Sequence, residues 1–335
     1  MSIDLPLIWA AIILFSIMMY VVMDGFDLGL GILFPFFTDR DERDVMMNTV
    51  APVWDGNETW LVLGGAGLMA AFPLAYAVVL SALYLPMILM LLALVFRGVA
   101  FEFRFKALDH ERHFWDKAFI GGSIAATFFQ GMALGAFIQG IPVVGHAYAG
   151  GPFDWISPFS LFTGVGLLVA YALLGSTWLI LKTEGGLQAR ASGTTRWLAW
   201  ILAAVMMVVS LWTPLTDSTI ATRWFSLGNL VWLAPVPLLV AAALSLLLRA
   251  LTRKAQVQPF LWALALMALG YGGLGFSLWP NIIPPAISIW DAASPPQSQG
   301  FALVGAAATI PVILIYTVWT YYVFRGKVRM GDGYH

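Results

Sequence analysis

The sequence predicts an all-α polytopic membrane protein with nine transmembrane helices. Of its 335 residues, 60% are hydrophobic and only 10% are charged, whereas about a quarter of the residues in a soluble domain are charged. Apolar runs of about 20 residues, the length that crosses a bilayer as a helix, recur along the whole chain. The mean hydropathy of +0.84 agrees with these runs. Together, these observations exclude a soluble globular domain.

The nine predicted spans are separated by polar or proline-rich connections. In chain order, they cover residues 5–34, 49–72, 76–96, 118–140, 157–181, 196–214, 226–248, 259–279 and 301–324. A polar, amphipathic connector at residues 97–117 joins the third span to the fourth. Because no stretch reads as a separate soluble domain, residues 1–335 are predicted to form a single transmembrane domain.

The distribution of basic residues predicts the orientation of these spans. With nine spans, 16 of the 17 lysines and arginines fall on one side of the membrane, and only Arg223 lies on the other. Short cytoplasmic connections of membrane proteins are enriched in lysine and arginine. The N-terminus is therefore predicted to be periplasmic and the C-terminus cytoplasmic.

Four carboxylates lie inside membrane-length apolar runs. Asp24 and Asp27 occupy the first predicted span, and Asp55 and Glu58 occupy the second. An ionisable side chain at bilayer depth costs several kcal/mol unless it is paired or hydrated, so it indicates a functional site. At 1.5 Å of rise per residue, Asp27 and Asp55 both lie roughly 10 Å inside the predicted cytoplasmic face. Each span carries its two acids three residues apart, so all four are predicted to converge on one polar cleft.

Arg97 and Glu102 complete the predicted cleft from the cytoplasmic end of the third span. Arg97 is the one basic residue near enough to pair with the four acids. Burial and like-charge proximity favour the protonated form of a carboxyl group. The acids are therefore predicted to exchange protons. The alternative is a structural role, in which they hydrogen-bond buried backbone groups or close a helix pair, as Asn57 and Thr59 also would.

Other side chains are assigned to packing or to the membrane interface. Glycines in the first two spans, among them Gly29 and Gly64, are predicted to let helices approach closely. Trp319 and Tyr321 fit the aromatic belt at the membrane surface.

The chain is not predicted to hold a metal. It has no cysteine, and its four histidines, His110, His113, His146 and His335, fall in connections or in the tail. Haem and copper buried in a bilayer are most often held by histidine, with methionine and cysteine as other ligands. A redox metal held by histidine inside the bilayer is therefore not expected in this chain.

Three motifs together resemble one known family. They read DGFDLG at residues 24–29, APVWDGN at residues 51–57, and FRGVAFEFR at residues 96–104, followed by WD at 115–116. In this order and spacing they are similar to subunit II of cytochrome bd-type quinol oxidases, a family that includes the cyanide-insensitive oxidases. The motifs cover about the first 120 residues, and the later spans match in length and topology.

The resemblance implies a heterodimer in the bacterial inner membrane. Its partner, subunit I, would hold the haem b and haem d type groups and oxidise quinol, while O2 is reduced to water. The implied fold is two four-helix bundles plus a peripheral ninth helix. Subunit II would supply a proton path from the cytoplasm, with Asp27 and Asp55 as its carboxylates. Its supporting residues would be Asp24, Glu58, Arg97 and Glu102. The resemblance also allows a structural quinone in this subunit, bound lipid and a small accessory subunit.

Two other functions fit the isolated sequence. A self-contained proton-coupled transporter would also place acids near the middle of the membrane, but it should show broken helices in both halves. Here the acids occur in one half only. A purely structural scaffold subunit would have no proton role, and substitution of its acids would leave turnover intact.

Overall fold

The computed structural model describes residues 3–216 and 218–331, so that His335 lies outside the described ranges. These ranges are almost entirely helical, with one short 3-10 helix and two small antiparallel hairpins. The helices are α1 (Leu5–Leu33), α2 (Arg40–Asn48), α3 (Trp54–Ala71), α4 (Pro73–Lys106), α5 (Arg112–Gln139), α6 (Pro158–Lys182), α7 (Gly185–Thr216), α8 (Ser218–Phe225), α9 (Leu227–Leu233), α10 (Pro235–Thr252), α11 (Gln258–Leu278) and α12 (Pro296–Val323). The 3-10 helix is Phe34–Phe36, and the strands are β1 (Val143–Val144), β2 (Ala147–Tyr148), β3 (Asn281–Ile283) and β4 (Ile287–Ser288).

Eight of the described helices are long and apolar enough to cross a membrane. The prediction of an all-α polytopic membrane protein is therefore confirmed. The eight include α1, α5, α6, α11 and α12, whose ends lie within a few residues of the predicted spans except at the start of α5 and α12. The predicted second span corresponds to α3, which is not among the eight because its first half carries Asp55, Asn57 and Glu58.

The predicted connector at residues 97–117 is wrong. Helix α4 continues through this stretch to Lys106, and only residues 107–111 separate it from α5. Arg97 and Glu102 therefore lie inside a helix rather than at its end. The helix continues because Arg97 and Arg104, both buried, are neutralised by carboxylates of neighbouring helices. Charged residues end a membrane helix only when they need water, and these two do not.

The predicted span at residues 226–248 is also corrected. The structure divides this stretch between α9 and α10. Pro235 begins α10, at the position where proline is favoured because its missing N–H group has no helical partner there. The same missing N–H group prevents α9 from continuing as one helix.

Helix α1 lies at the centre of the first group of helices. It packs against α3, α5 and α6, while α4 packs against α5. A Cβ atom at Gly29 would lie 2.0 Å from the Tyr171 carbonyl oxygen on α6, so only glycine allows the two backbones to approach. The predicted packing role of Gly29 is confirmed. A second group is formed by α7, α10 and α11 against α6, and α12 contacts α1 and α3.

A cluster of ion pairs joins α2, α4 and α5 at one end of the first group. The buried Arg104 guanidinium pairs with Asp116 and with Asp44, both at 2.5 Å. Arg43 pairs with the other Asp116 oxygen at 2.9 Å. Both guanidinium groups also lie over the Phe34 ring. The cluster gives a structural reason for the arginine and aspartate at the ends of the third motif.

An Asp116→Asn substitution is expected to lower the melting temperature of the assembled protein. It removes one negative charge from two arginines, and a buried hydrogen bond to a charged group contributes about 1.5–3 kcal/mol. The matched control is Asp109→Asn, because Asp109 pairs with Arg40 at an exposed position where ion pairs add little. Equal melting temperatures for Asp116→Asn and the wild type would contradict this role.

Two lysines fasten the end of α12 to the end of α6. The Lys182 ammonium donates to the Phe324 carbonyl and, at 2.9 Å, to the Gly326 carbonyl. In return, the Lys327 ammonium donates to the Thr183 carbonyl at 2.8 Å. Partial burial lowers the pKa of Lys327. Each lysine thus satisfies carbonyl groups that the end of the other helix leaves without an intrahelical donor.

A buried carboxylate cluster as the candidate functional site

Four helices bring polar side chains together inside the first group. Their members share burial or partial burial and mutual hydrogen bonds, and they are Asp24, Asp27, Asn57, Glu58, Arg97 and Tyr321. Helix α1 supplies the two aspartates, α3 the asparagine and glutamate, α4 the arginine and α12 the tyrosine. The structure thus joins two distant parts of the sequence in one cluster.

Arg97 holds two carboxylates at once. Its Nη2 atom donates to Asp24 Oδ1 and, at 2.8 Å, to Glu58 Oε1. The arginine side chain is only 1% exposed, and its guanidinium carbon lies 5.4 Å from the centre of the Trp54 ring. A buried charge is tolerated when it is paired and hydrogen-bonded. The predicted pairing of Arg97 with the acids is therefore confirmed for Asp24 and Glu58.

Asp27 is held by a second chain of hydrogen bonds. Asn57 Nδ2 donates to Asp27 Oδ2 at 2.7 Å, and the same nitrogen lies 3.3 Å from the Met23 carbonyl oxygen. The Tyr321 hydroxyl donates to Asn57 Oδ1 at 2.9 Å. The Asn57 amide is thereby fixed with its nitrogen towards the carboxyl group. Helix α12 in this way orients a side chain that contacts Asp27.

The cluster contains more acids than bases. Three carboxyl groups, Asp24, Asp27 and Glu58, share the single guanidinium of Arg97. Three buried atoms, Asp24 Oδ2, Asp27 Oδ1 and Arg97 Nε, have no hydrogen-bond partner among the described residues. Buried polar atoms of this kind are normally satisfied by internal water. A hydrated cluster with surplus carboxyl groups can take up a proton and release it.

Asp55 does not join the cleft, contrary to the prediction that four acids converge. It lies in the first turn of α3 with its side chain exposed, while the Glu58 side chain is 30% exposed. Two residues three apart differ by about 60° around a helix. Because Glu58 already lies at the edge of the cleft, this rotation carries Asp55 to the outer surface.

Glu102 also lies outside the cleft. Its side chain is exposed on α4, five residues after Arg97. This spacing separates the two side chains by about 140° around the helix. The predicted supporting role therefore has no contact with the cluster.

The role of Tyr321 was not visible in the sequence. The assignment of Tyr321 to an interfacial belt is wrong, because its side chain is partly buried and its hydroxyl contacts the cluster. Tyr322 beside it is exposed. No local signal separates the two tyrosines. Only the packing of α12 on α1 and α3 decides which one turns inwards.

The described histidines do not fit a haem held in the bilayer. His110 lies between α4 and α5, His113 in the first turn of α5, and His146 in the turn between β1 and β2. Within residues 3–216 and 218–331, no three histidine, cysteine, aspartate or glutamate side chains are arranged to hold a metal ion. The charge chemistry of this chain is therefore carried by carboxyl groups and one arginine.

A comparison with protein families decides the identity of this membrane protein. A sequence model of the family described as cytochrome bd terminal oxidase subunit II matches residues 5–324. The chain belongs to the cytochrome bd subunit II family. A cytochrome bd oxidase oxidises quinol, and subunit II is one part of that oxidoreductase together with subunit I. The family therefore excludes the self-contained transporter that the acids alone also allowed.

Characterised relatives match cytochrome bd subunit II over nearly their whole length. The chain is 28% identical to "Cytochrome bd-I ubiquinol oxidase subunit 2" of Escherichia coli strain K12, covering 98% of this chain and 96% of that protein. It is 30% identical to "Cytochrome bd ubiquinol oxidase subunit 2" of Bacillus subtilis strain 168, covering 96% of both. The match therefore extends far beyond the three motifs near the N-terminus.

A solved structure agrees with the fold of this subunit II. A chain in the structure of bd oxidase from Geobacillus thermodenitrificans superimposes with a TM-score of 0.79 at 15% sequence identity. The match covers 96% of this chain and 99% of that one. At this identity, the likeness supports the fold alone.

Proposed function

We propose that this subunit II conducts protons from the cytoplasmic side of the membrane to the haem-bearing subunit I. The observation that carries the proposal is the graded exposure of linked acids. Asp24 and Asp27 are buried, the Glu58 side chain is 30% exposed, and Asp55 lies at the surface. Such a series leads from the interior of the subunit to its outer face.

Arg97 links the buried and the half-buried parts of this series. One guanidinium nitrogen contacts both Asp24 and Glu58, so the loss or gain of a proton at one carboxyl group changes the electrostatic potential at the other. Water at the unpartnered oxygens of Asp24 and Asp27 would complete the connection. Arg97 itself stays charged, and its role is to hold the acids in place.

The exposed acids indicate where subunit I docks. Asp55 and Glu102 lie on the outer surfaces of α3 and α4, beside exposed apolar side chains such as Phe96 and Phe103. A carboxylate facing lipid hydrocarbon is costly, so it requires a polar partner or water at that place. A protein surface there would receive protons from Asp55. This orientation makes Asp55 the exit of the path and Glu102 a contact residue.

The proposed topology has nine spans in the bacterial inner membrane, with a periplasmic N-terminus and a cytoplasmic C-terminus. Helix α3 is the ninth span, since its polar first half is matched by partners on α1 and α4. Helix α12 contacts α1 and α3 and otherwise stays largely exposed, as expected of a peripheral helix beside two four-helix bundles. Haem b and haem d type groups in subunit I, a structural quinone, bound lipid and an accessory subunit remain predictions.

The proposal is tested by an Asp55→Asn substitution in the purified two-subunit complex. Loss of the exit carboxyl group is expected to lower quinol-driven O2 consumption by about tenfold, since removal of a positioned proton-transfer group typically costs at least that much. The haem absorption spectrum should stay unchanged, because Asp55 contacts no residue of the buried cluster's hydrogen bonds. Glu111→Gln, an exposed acid between α4 and α5, is the matched control and should keep full activity.

Other outcomes separate the proposal from its alternative. Unchanged turnover in Asp55→Asn, with haem retained, would favour a purely structural scaffold. Loss of haem together with turnover would make Asp55 an assembly residue at the interface with subunit I.

A further inference from the structure

A cavity of about 380 Å³ lies at the end of the second group of helices, between the end of α10 and the start of α11. Its polar lining comes from Arg249, Arg253 and Gln258, and its apolar lining includes Leu246, Leu261 and Trp262. The two arginines are exposed, and they lie one turn apart on the last turn of α10 and the residue after it. The cavity thus has a cationic rim and an apolar wall.

The positive charge of this rim is not balanced within the described chain. Seven arginines elsewhere, at positions 40, 43, 97, 104, 112, 190 and 329, pair with an acidic side chain. In the described ranges, no acidic side chain pairs with Arg249 or Arg253. The sequence explains why, since residues 218–290 contain no aspartate or glutamate. The rim is therefore complementary to an anion from outside the chain.

We propose that this cavity binds the headgroup of an anionic phospholipid. The two guanidinium groups would bind the phosphate through charge-assisted hydrogen bonds, as arginine does with planar or tetrahedral oxyanions. Leu246 lies about one turn before Arg249, towards the middle of the membrane, so it extends the cavity along the path of an acyl chain. Basic pockets between membrane helices are established binding places for anionic lipid headgroups.

The apolar wall distinguishes a lipid from free phosphate. Inorganic phosphate needs the arginines but gains nothing from leucine and tryptophan side chains. A phospholipid uses both parts of the cavity, and tryptophan is favoured at the depth of the headgroups. The inference requires only that α10 and α11 cross the membrane, so it is independent of the proposed proton path.

The test is native mass spectrometry of the intact oxidase complex in detergent. The complex is incubated with an equal mixture of phosphatidylglycerol and phosphatidylcholine, and the retained lipids are counted. The wild type is expected to retain at least one phosphatidylglycerol molecule more than the Arg249→Gln/Arg253→Gln variant, with about tenfold weaker binding in the variant. The conservative Arg249→Lys/Arg253→Lys variant should retain most of the binding, because it keeps the charge.

The matched control is Lys254→Gln, which removes a charge beside the cavity but does not line it. This variant should bind phosphatidylglycerol as the wild type does, and phosphatidylcholine should bind equally to all variants. The haem spectrum checks assembly, and Arg253→Gln alone must show the same direction of change if the double variant does not assemble.

Three results would overturn the inference. The first is equal phosphatidylglycerol retention in the wild type and the double arginine variant. The second is an equal loss in Lys254→Gln, which would indicate only general surface charge. The third is complete displacement of phosphatidylglycerol by excess inorganic phosphate, which would indicate a site for a free anion.

Discussion

An Arg97→Met variant is expected to assemble poorly and to lose most of its haem-containing complex. The substitution leaves Asp24 and Glu58 without their only cation, in a site where Arg97 is 1% exposed. Removal of one partner from a buried ion pair costs about 3–5 kcal/mol, because an uncompensated charge remains. This is a large fraction of the stability of a typical domain. Haem absorbance per unit of purified complex and the melting temperature measure the effect.

A compensating variant distinguishes charge balance from packing. If the uncompensated acids cause the loss, Arg97→Met combined with Asp24→Asn and Glu58→Gln should recover much of the complex. Lys106→Met, at an exposed position on the same helix, is the control and should assemble normally. Normal assembly of Arg97→Met alone would contradict the structural role assigned to this arginine.

An Asp27→Asn variant is expected to assemble with full haem content and to lose about a hundredfold in quinol-driven O2 consumption. The side chain keeps its size and can still hydrogen-bond to Asn57, but an amide cannot carry a proton in the way that a carboxyl group does. Removal of a positioned proton-transfer group typically lowers a rate by a factor of about 10² to 10⁴. The effect exceeds that of Asp55→Asn, because bulk water at the surface can partly replace an exposed carboxyl group.

Asp27→Glu is the informative comparison for this variant. It keeps the carboxyl group and displaces it by one methylene, so part of the activity should remain. Wild-type turnover in Asp27→Asn, with an unchanged haem spectrum, would remove Asp27 from the proton path. The Glu111→Gln control applies here as well.

The fold class followed from the sequence because hydrophobicity is averaged over whole helices. The runs that became α1, α6 and α11 are long, uniformly apolar and bounded by proline or charge, so their ends were predicted closely. The errors occurred where local composition and packing disagree. Residues 97–106 look like a polar connector, but buried ion pairs to other helices keep them in α4.

The candidate site was only partly predictable for a related reason. Spacing along α1 placed Asp24 and Asp27 correctly, and the nearest cation, Arg97, does pair with the acids. The rotation of α3 about its axis, which exposes Asp55, depends on packing against α1. The contact between Tyr321 and Asn57 spans 264 residues of sequence, so no pattern near either residue could indicate it.

The central claim is that the acid cluster delivers protons to the haem-bearing subunit. The most direct measurement mixes the fully reduced complex with O2 and follows haem oxidation by absorbance and proton uptake by a pH indicator in the same single turnover. In Asp27→Asn, proton uptake is expected to slow by the same factor as steady-state turnover, while O2 binding to the haem keeps its wild-type rate. Proton uptake at the wild-type rate in this variant would contradict the claim.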